Sequence, residues 1–202
     1  MLFRSGIQYY KESLDLNPNV KTYGSYVFNL NYLNDLNFKE YFEAINKINN
    51  SYKKYLIKED VNKNNPIKNN NKINLGFVSG DFREHAVGYQ IFDVIKYLAA
   101  NSDFELYAYY NETEEDDLTK KFKNIFNFWR DIKNMNDSKV LDQIKSDDIK
   151  ILIDLSGYTE GGRLELFFNK PAPIQVSWAG YLASTGLSEI DYIIGDSHIV
   201  KN

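Results

Sequence analysis

Residues 73–202 are predicted to form a parallel α/β domain, and residues 1–64 a small all-helical segment that precedes it. Three observations predict this division. Short apolar runs alternate with segments of helical periodicity after residue 72, which is typical of βαβ units in a parallel sheet. Most of these runs are continuously apolar, as in strands covered on both faces. The stretch 65–72 is polar, contains Pro66 and lacks periodicity, which predicts a linker.

Apolar side chains at helical spacing predict three helices in residues 1–64. Pro18 follows the first helix as a stop signal. Asn37 and Glu40 have the spacing of a capping box, in which Asn37 accepts from a helix amide and Glu40 reaches back. The side chains predicted to face inward are Ile7, Tyr10 and Leu14 in the first helix, Tyr23, Tyr26, Val27, Leu30 and Leu33 in the second, and Phe42, Ile45, Ile48, Tyr52 and Tyr55 in the third.

The α/β region is predicted to hold five strands with helices between them. The strands are Ile73–Val78, Phe104–Tyr110, Ile149–Leu155, Ile174–Trp178 and Tyr192–Ile194. The helices follow from the apolar sets Val87, Ile91, Val94, Ile95 and Leu98; Leu118, Phe122, Ile125, Phe126 and Trp129; Val140, Leu141 and Ile144; and Leu164, Phe167 and Phe168. Ligands of parallel sheets bind beyond the carboxyl ends of the strands. We therefore expect any chemistry at Ser79–Asp81, Asn111, Ser156–Thr159 and Ala179–Tyr181.

The composition argues against several classes of function. The net charge is −4 and no basic stripe is present, so a nucleic-acid partner is not expected. The absence of Cys excludes disulfides and fits a reducing cytoplasm. His85 and His198 lack neighbours with metal-ligand spacing, so no metal site is expected. No apolar run approaches the roughly 20 residues of a membrane span, and no signal peptide is apparent, so a cytoplasmic protein without membrane contact is expected.

Several common site motifs are missing from the sequence. It has no phosphate-binding GxxxxGK[ST] loop and no GxGxxG fingerprint. It has no Asp-x-Asp triplet, which argues against a metal-dependent sugar transferase, and no Gly-x-Ser-x-Gly elbow of a hydrolase.

Three segments at the predicted strand ends carry candidate chemistry. His85 follows the first strand, where an imidazole could accept a proton or orient a hydroxyl; the alternative is that it caps a helix or faces solvent. Residues 154–163 hold a glycine bend at Gly157, and Thr159 could cap the next helix; the alternative is an ordinary strand–turn–helix junction. The small residues of 178–186 allow a ligand close to the backbone, with a plain surface loop as the alternative.

Taken together, these segments resemble the protein O-GlcNAc transferase family. The resemblance is carried by residues 73–98 (INLGFVSGDFREHAVGYQIFDVIKYL) and, more specifically, by residues 151–196, with their DLSGYT turn, RLELF helix, KPAPIQV segment and W-x-GY…TG…DY run. Residues 23–55 resemble the helical connector of this family, and residues 1–18 the end of a tetratricopeptide repeat.

The resemblance implies the N-terminal, acceptor-side lobe of a two-lobe GT-B glycosyltransferase with a Rossmann-like sheet. It implies an inverting, metal-independent transfer of GlcNAc from UDP-GlcNAc to Ser or Thr of a protein. No cofactor is implied, because UDP-GlcNAc is the donor substrate and is bound mainly by the C-terminal lobe. We expect that lobe to be absent here, so that the chain is a fragment, a truncated frame or half of a split enzyme. It would then be inactive unless a separate donor lobe joins it.

The same resemblance assigns site residues. His85 matches the active-site histidine, which positions sugar and acceptor or accepts the acceptor's proton. Gly157, Tyr158 and Thr159 match the turn that lines the cleft; Tyr158 stands where many bacterial members have histidine. The substrate-binding residues are completed by Gly180, Tyr181 and Gly186. The family's Gly-Tyr-Pro-Gly loop is changed here to Gly180-Tyr181-Leu182-Ala183. Two other functions stay open: a non-catalytic protein-binding module, and a small nucleotide-binding α/β protein that uses the turn at 76–80.

Overall fold

The chain forms two compact units, each described by itself. The computed structural model describes residues 2–17, 19–33, 35, 37–53, 56 and 72–196. A helical unit comprises residues 1–56 with the segment 183–188, and an α/β unit comprises residues 57–182 with 189–202. Of the predicted linker 65–72, only Lys72 is described. The predicted domain boundaries therefore stay a prediction.

Three helices form the helical unit: α1 (Leu2–Leu16), α2 (Val20–Leu30) and α3 (Phe38–Tyr52). Asn19 caps α2 by accepting from the amide of Thr22, which satisfies one of the free donors at a helix start. Most of the predicted inward residues are buried, but Phe42 is 57% exposed, because Tyr41 and Ala44 share the buried face with Ile45 and Ile48. Leu33 lies beyond the end of α2, and Tyr55 is outside the described residues.

The capping box predicted for α3 forms only by half. The Asn37 side chain accepts from the amides of Lys39 and Glu40. The Glu40 carboxylate instead accepts the hydroxyl of Tyr26 and pairs with Lys11, whose Nζ lies 2.7 Å from Oε1. Partial burial and the hydrogen bond that the hydroxyl donates to Glu40 raise the pKa of Tyr26. Glu40 thus links α3 to α1 and α2 and does not complete the capping box at the start of its own helix.

The α/β unit is a six-stranded sheet in which every neighbouring pair is parallel. The strand order β3-β2-β1-β4-β5-β6 reverses direction between β1 and β4, which confirms the predicted Rossmann-like α/β fold class. The elements are β1 (Ile73–Ser79), α4 (Ala86–Ala99), β2 (Phe104–Tyr110), α5 (Asp117–Ile125), β3 (Phe128–Asp131), α6 (Asp137–Ser146), β4 (Ile151–Asp154), α7 (Leu164–Phe168), β5 (Ile174–Trp178) and β6 (Tyr192–Ile194).

One strand of this sheet departs from the sequence prediction. Trp129 was predicted on the helix now seen as α5, because Phe122, Phe126 and Trp129 keep helical spacing. The helix ends at Ile125, Phe126 adopts an extended conformation, and Trp129 lies on β3, paired with β2. The prediction was wrong because the hydrogen-bonding edge of β2 takes up this segment, and that edge is distant in sequence.

No helix in the described part of the chain is long and apolar enough to cross a membrane.

An aromatic cluster fills one side of the sheet and supports the loop after β1. The ring of Phe82 is fully buried and lies 5.2 to 5.6 Å, centroid to centroid, from those of Phe122, Phe126 and Trp129. A fully buried Phe side chain stabilises a fold by about 2 kcal/mol. Because Phe82 lies between Asp81 and Arg83, this packing holds the segment that carries the candidate site.

The glycine at position 76 has a packing role inside β1. A Cβ at this position would lie 2.9 Å from Cδ1 of Leu152 and 3.0 Å from Cε2 of Tyr109. Gly76 therefore lets neighbouring side chains cross the strand. One function that the sequence leaves open is a nucleotide-binding turn at 76–80. Of the two glycines in that segment, only Gly80 lies past the end of β1, which weakens this alternative.

Candidate functional site

A polar cavity of about 310 Å³ lies at the carboxyl ends of the strands, where the sheet order reverses. This is the place at which open parallel sheets bind ligands. Loops that follow β1, β2, β4 and β5 all contribute to it. Its lining residues are Gly80, Asp81, Arg83, His85, Val87, Glu112, Thr159, Glu160, Gly161 and Gly180.

His85 is the N-cap residue of α4 and also lines the cavity. Its backbone is extended, with φ −138° and ψ 155°, and its Nδ1 accepts from the amide of Val87 over 3.3 Å. Its side chain is 42% exposed, and Oδ1 of Asp81 lies 3.5 Å from the same Nδ1. The capping role and the position beside the cavity, weighed as alternatives from the sequence, coexist in one side chain.

Asp81 brings a buried carboxylate to the same cavity. It is 6% exposed, and its amide donates to Oγ of Ser79 over 2.9 Å. Burial raises the pKa of Asp81, while the positive charges of a protonated His85 and of Arg83 act in the opposite direction. Burial prevails, because the carboxylate loses water and the described residues give it no hydrogen bond from a lysine or arginine. A contact between Asp81 and His85 is an ion pair only when the imidazole is protonated.

The bend after β4 is organised by a second buried carboxylate. Asp154 accepts the amides of Ser156 and Gly157 over 3.0 to 3.1 Å. Complete burial raises the pKa of Asp154 to about 6, and the two amide bonds oppose that rise. Gly157 has φ +54°, and a Cβ there would lie 2.4 Å from Cβ of Tyr181. Glycine is thus required both by the left-handed backbone and by the approach of the tyrosine.

Loops that follow four strands are joined to one another beside the cavity. The side-chain amide of Asn111, after β2, donates to the carbonyl of Gly161, after β4, over 3.0 Å. A Cβ added to Gly80 would lie 3.2 Å from Cα of Gly161. Arg163 donates to the carbonyl of Ile132 and to Oδ1 of Asp137, each over 2.8 Å. The cavity walls are therefore held by hydrogen bonds that cross between loops.

The structure brings some of the predicted site residues together. His85, Thr159 and Gly180 line the same cavity. Gly157 and Tyr158 precede Thr159 in the bend, where the ring of Tyr158 contacts that of Tyr181 edge to face at 5.4 Å. Tyr181 itself is buried, at 4% exposure. The roles assigned to these residues stay predictions, because geometry alone does not show what they bind.

Gly186 belongs to the helical unit rather than to the α/β unit. Its carbonyl accepts from the side-chain amide of Asn49 over 2.8 Å, and a Cβ at Gly186 would lie 2.1 Å from Cγ2 of Ile45. Within that unit Gly186 allows the segment 183–188 to pack closely on α3. Its predicted part in substrate binding stays a prediction.

Thr159 does not cap a helix as predicted. Its hydroxyl donates to the carbonyl of Ser156 over 2.6 Å, and α7 begins only at Leu164. The amide of Gly162 donates to the carbonyl of Thr159. The reason is that residues 157–162 form consecutive turns and not the first turn of a helix.

Seven lining residues received no site role from the sequence: Gly80, Asp81, Arg83, Val87, Glu112, Glu160 and Gly161. Asp81 was placed at a strand end but received no role. The signal that could have found it is its spacing of four residues from His85 in one loop. Glu112 and Glu160 gave no such signal. In the described residues, no group of three or more His, Asp or Glu side chains is arranged to hold a metal ion.

This combination of reversed strand order and a polar cavity at the reversal defines a Rossmann-like lobe of the kind found in GT-B transferases. A model described as glycosyl transferase family 41 matches residues 18–200. The chain therefore belongs to glycosyltransferase family 41.

Similar proteins carry consistent descriptions. The chain is 30% identical over 196 residues to the probable UDP-N-acetylglucosamine–peptide N-acetylglucosaminyltransferase SPINDLY of Oryza sativa subsp. japonica, which covers 95% of this chain and 21% of that protein. It is 32% identical over 133 residues to the Caenorhabditis elegans UDP-N-acetylglucosamine–peptide N-acetylglucosaminyltransferase, covering 65% of this chain and 12% of that protein. The chain thus spans about a fifth or less of these relatives' lengths.

A solved structure agrees with the fold. A mutant O-GlcNAc transferase of Thermobaculum terrenum matches with a TM-score of 0.82 and 27% sequence identity. The match covers 97% of this chain and 38% of that one. The resemblance to the O-GlcNAc transferase family inferred from the sequence is confirmed.

Proposed function

We propose that this chain is the acceptor-side half of a protein O-linked N-acetylglucosaminyltransferase that acts in the cytoplasm. The reaction would transfer GlcNAc from UDP-GlcNAc to a Ser or Thr hydroxyl, with inversion and without a metal. The observation that carries this proposal is that His85, Thr159 and Gly180, which follow three different strands, line one cavity in a family 41 chain.

The cavity would receive the acceptor hydroxyl and the sugar. In the transfer, the hydroxyl oxygen forms a bond to the anomeric carbon while the bond from that carbon to UDP breaks and its electron pair leaves with the diphosphate. The hydroxyl proton must be taken up as the new bond forms. His85 is suited to orient that hydroxyl or to take its proton, and Thr159 and Gly180 to bound the space beside it.

The donor would be held mainly by a C-terminal lobe supplied by further polypeptide. This part of the proposal is supported by the coverage of the relatives, which extend far beyond the matched region. Catalysis of group transfer depends on positioning donor and acceptor and on stabilising the leaving group. We therefore expect no turnover from this chain alone, and transfer only in a complex with a donor lobe.

A reconstitution assay tests the proposal. The chain is mixed with a matching C-terminal lobe, and transfer of labelled GlcNAc from UDP-GlcNAc to protein is measured. Transfer is expected in the mixture and in neither half alone. If both halves are folded and associate but no sugar is transferred to any of a broad panel of protein acceptors, the proposal fails.

Titrations of the chain by itself distinguish the other two functions. Tight binding of UDP or NAD by this chain alone, followed by calorimetry, would favour a small nucleotide-binding protein. Capture of peptides without any association with a donor lobe would favour a non-catalytic binding module.

A further inference from the structure

One atom of the cavity, Nδ1 of His85, has two candidate partners. The amide of Val87 points at it over 3.3 Å, and Oδ1 of Asp81 lies 3.5 Å away. A nitrogen of a neutral imidazole carries either a proton or a lone pair. With Asp81 ionised, only one of these two contacts can therefore be a hydrogen bond at a given moment.

The choice of partner decides the state of the other ring nitrogen. If Val87 donates to Nδ1, the proton of the neutral ring lies on Nε2, which can then only donate. If Nδ1 donates to Asp81, Nε2 keeps its lone pair and can accept a proton. A side chain that is meant to take up a hydroxyl proton needs the second arrangement.

The surroundings favour the contact with Asp81. A hydrogen bond to an ionised group is roughly twice as strong as one between neutral groups. The bond from Val87 is neutral, although at 3.3 Å it is shorter than the 3.5 Å contact with Asp81. Asp81 is almost fully buried and its backbone is held by Ser79, so the carboxylate has a defined position. The charged groups near this pair are Arg83 of the same loop, and Glu112 and Glu160 of the loops after β2 and β4.

We propose that Asp81 is a positioning residue for His85: its carboxylate accepts the Nδ1 proton, which leaves Nε2 unprotonated in a side chain that lines the cavity. The inference rests on the proposed function only for the identity of the hydroxyl whose proton Nε2 would take. When Asp81 cannot accept, the amide of Val87 takes over Nδ1 and the proton moves to Nε2.

The tautomer of His85 can be measured directly, because the chain has only two histidines. In a His198→Gln background, long-range ¹H–¹⁵N spectra of ¹⁵N-histidine-labelled protein report which nitrogen is protonated, at a pH above the ordinary titration range of histidine. We expect the Nδ1–H form to predominate. In Asp81→Asn and Asp81→Leu, the ratio of the Nδ1–H to the Nε2–H form should fall about tenfold.

A matched control is available on α4, the helix whose N-cap residue is His85. Asp93 lies on the exposed face of α4, and Asp93→Leu should leave the tautomer ratio unchanged. A predominant Nε2–H form in the protein without an Asp81 substitution would overturn the proposal, even if the Asp81 variants fail to fold. An unchanged ratio in a folded Asp81→Leu protein would overturn it as well. The spectra involve no sugar transfer, so failure of the transferase proposal and failure of this one are distinguishable.

Discussion

The buried carboxylates at the two ends of the parallel sheet differ in whether a cation accompanies them. At the amino end, Asp147 accepts two hydrogen bonds from Arg130, one from Gln143 and one from the hydroxyl of Tyr109, all between 2.8 and 3.1 Å. At the carboxyl end, Asp81 and Asp154 are just as buried, but no lysine or arginine among the described residues forms an ion pair with either. Burial raises the pKa of both.

This difference distinguishes a structural cluster from the candidate functional site. Removing a buried carboxylate that accepts from a guanidinium destabilises the fold, because it leaves that cation without its partner. A buried carboxylate without a compensating cation costs stability and is retained where its proton affinity is useful. The carboxyl end of the sheet therefore has the electrostatics of a site, in agreement with the cavity that lies there.

The largest expected effect is at the amino end. Asp147→Ala should lower the free energy of unfolding by about 3 to 5 kcal/mol, because it leaves Arg130 without its carboxylate partner. Urea unfolding followed by circular dichroism measures this. Asp117→Ala removes an exposed pair with Lys120 and should leave the unfolding midpoint almost unchanged. Similar losses for the two variants would show that the amino-end cluster is not structural.

A pH series tests Asp154 at the opposite end. Its folded pKa, about 6, lies above the unfolded value of 3.8. The folded state therefore binds more protons between these values, and stability falls as pH rises from about 4 to about 6. This loss should reach about 2 to 3 kcal/mol relative to Asp154→Asn, which cannot titrate. Urea midpoints across this range measure the difference, and parallel curves for the two proteins would contradict it.

The bend that carries the predicted turn residues should be sensitive to a single methyl group. Gly157→Ala places a Cβ against Tyr181 in a left-handed conformation, and we expect it to lower the free energy of unfolding by about 2 kcal/mol. Gly6→Ala is a matched control, because a Cβ at that helical position meets no atom within 4 Å and should stabilise slightly. Thermal unfolding of both variants measures the contrast; equal shifts would mean that the bend tolerates a side chain.

The smallest expected effect on stability is at His85, where two substitutions distinguish its position as N-cap of α4 from its proposed role in transfer. His85→Ala removes the hydrogen bond of Nδ1, whether that bond is to Val87 or to Asp81, and should cost about 1 kcal/mol, whereas His85→Asn offers an oxygen to the amide of Val87 and should cost little. Both should abolish most transfer in the reconstituted mixture, because neither has an imidazole. Urea unfolding and the transfer assay together make the test. A His85→Asn protein that keeps full activity would leave His85 with the capping role alone.

Much of the fold could be predicted from local pattern. The strands later seen as β2, β5 and β6 were predicted with their observed bounds, and β1 to within one residue, because apolar runs bounded by turn residues mark strands. The strand β4 is shorter than its predicted range of 149–155, and β6 is exposed at all three residues. The expectation that chemistry gathers at the strand ends agrees with the cavity. The strand β3 was not predicted, because Trp129 keeps helical spacing with Phe122 and Phe126. The exposure of Phe42 was not predicted, because Tyr41 and Ala44 take the buried face of α3.

The sequence by itself determined the α/β class, the family and the candidacy of His85, because these depend on periodicity and on motifs that are contiguous in the chain. Only the tertiary structure decided that Arg130 and Tyr109 donate hydrogen bonds to Asp147, 17 and 38 residues away, and that the loops after four strands meet around one cavity. It also showed that Asp81 and Val87 share a single nitrogen of His85. Such contacts depend on strand order and on distances of a few ångströms, which local pattern does not specify.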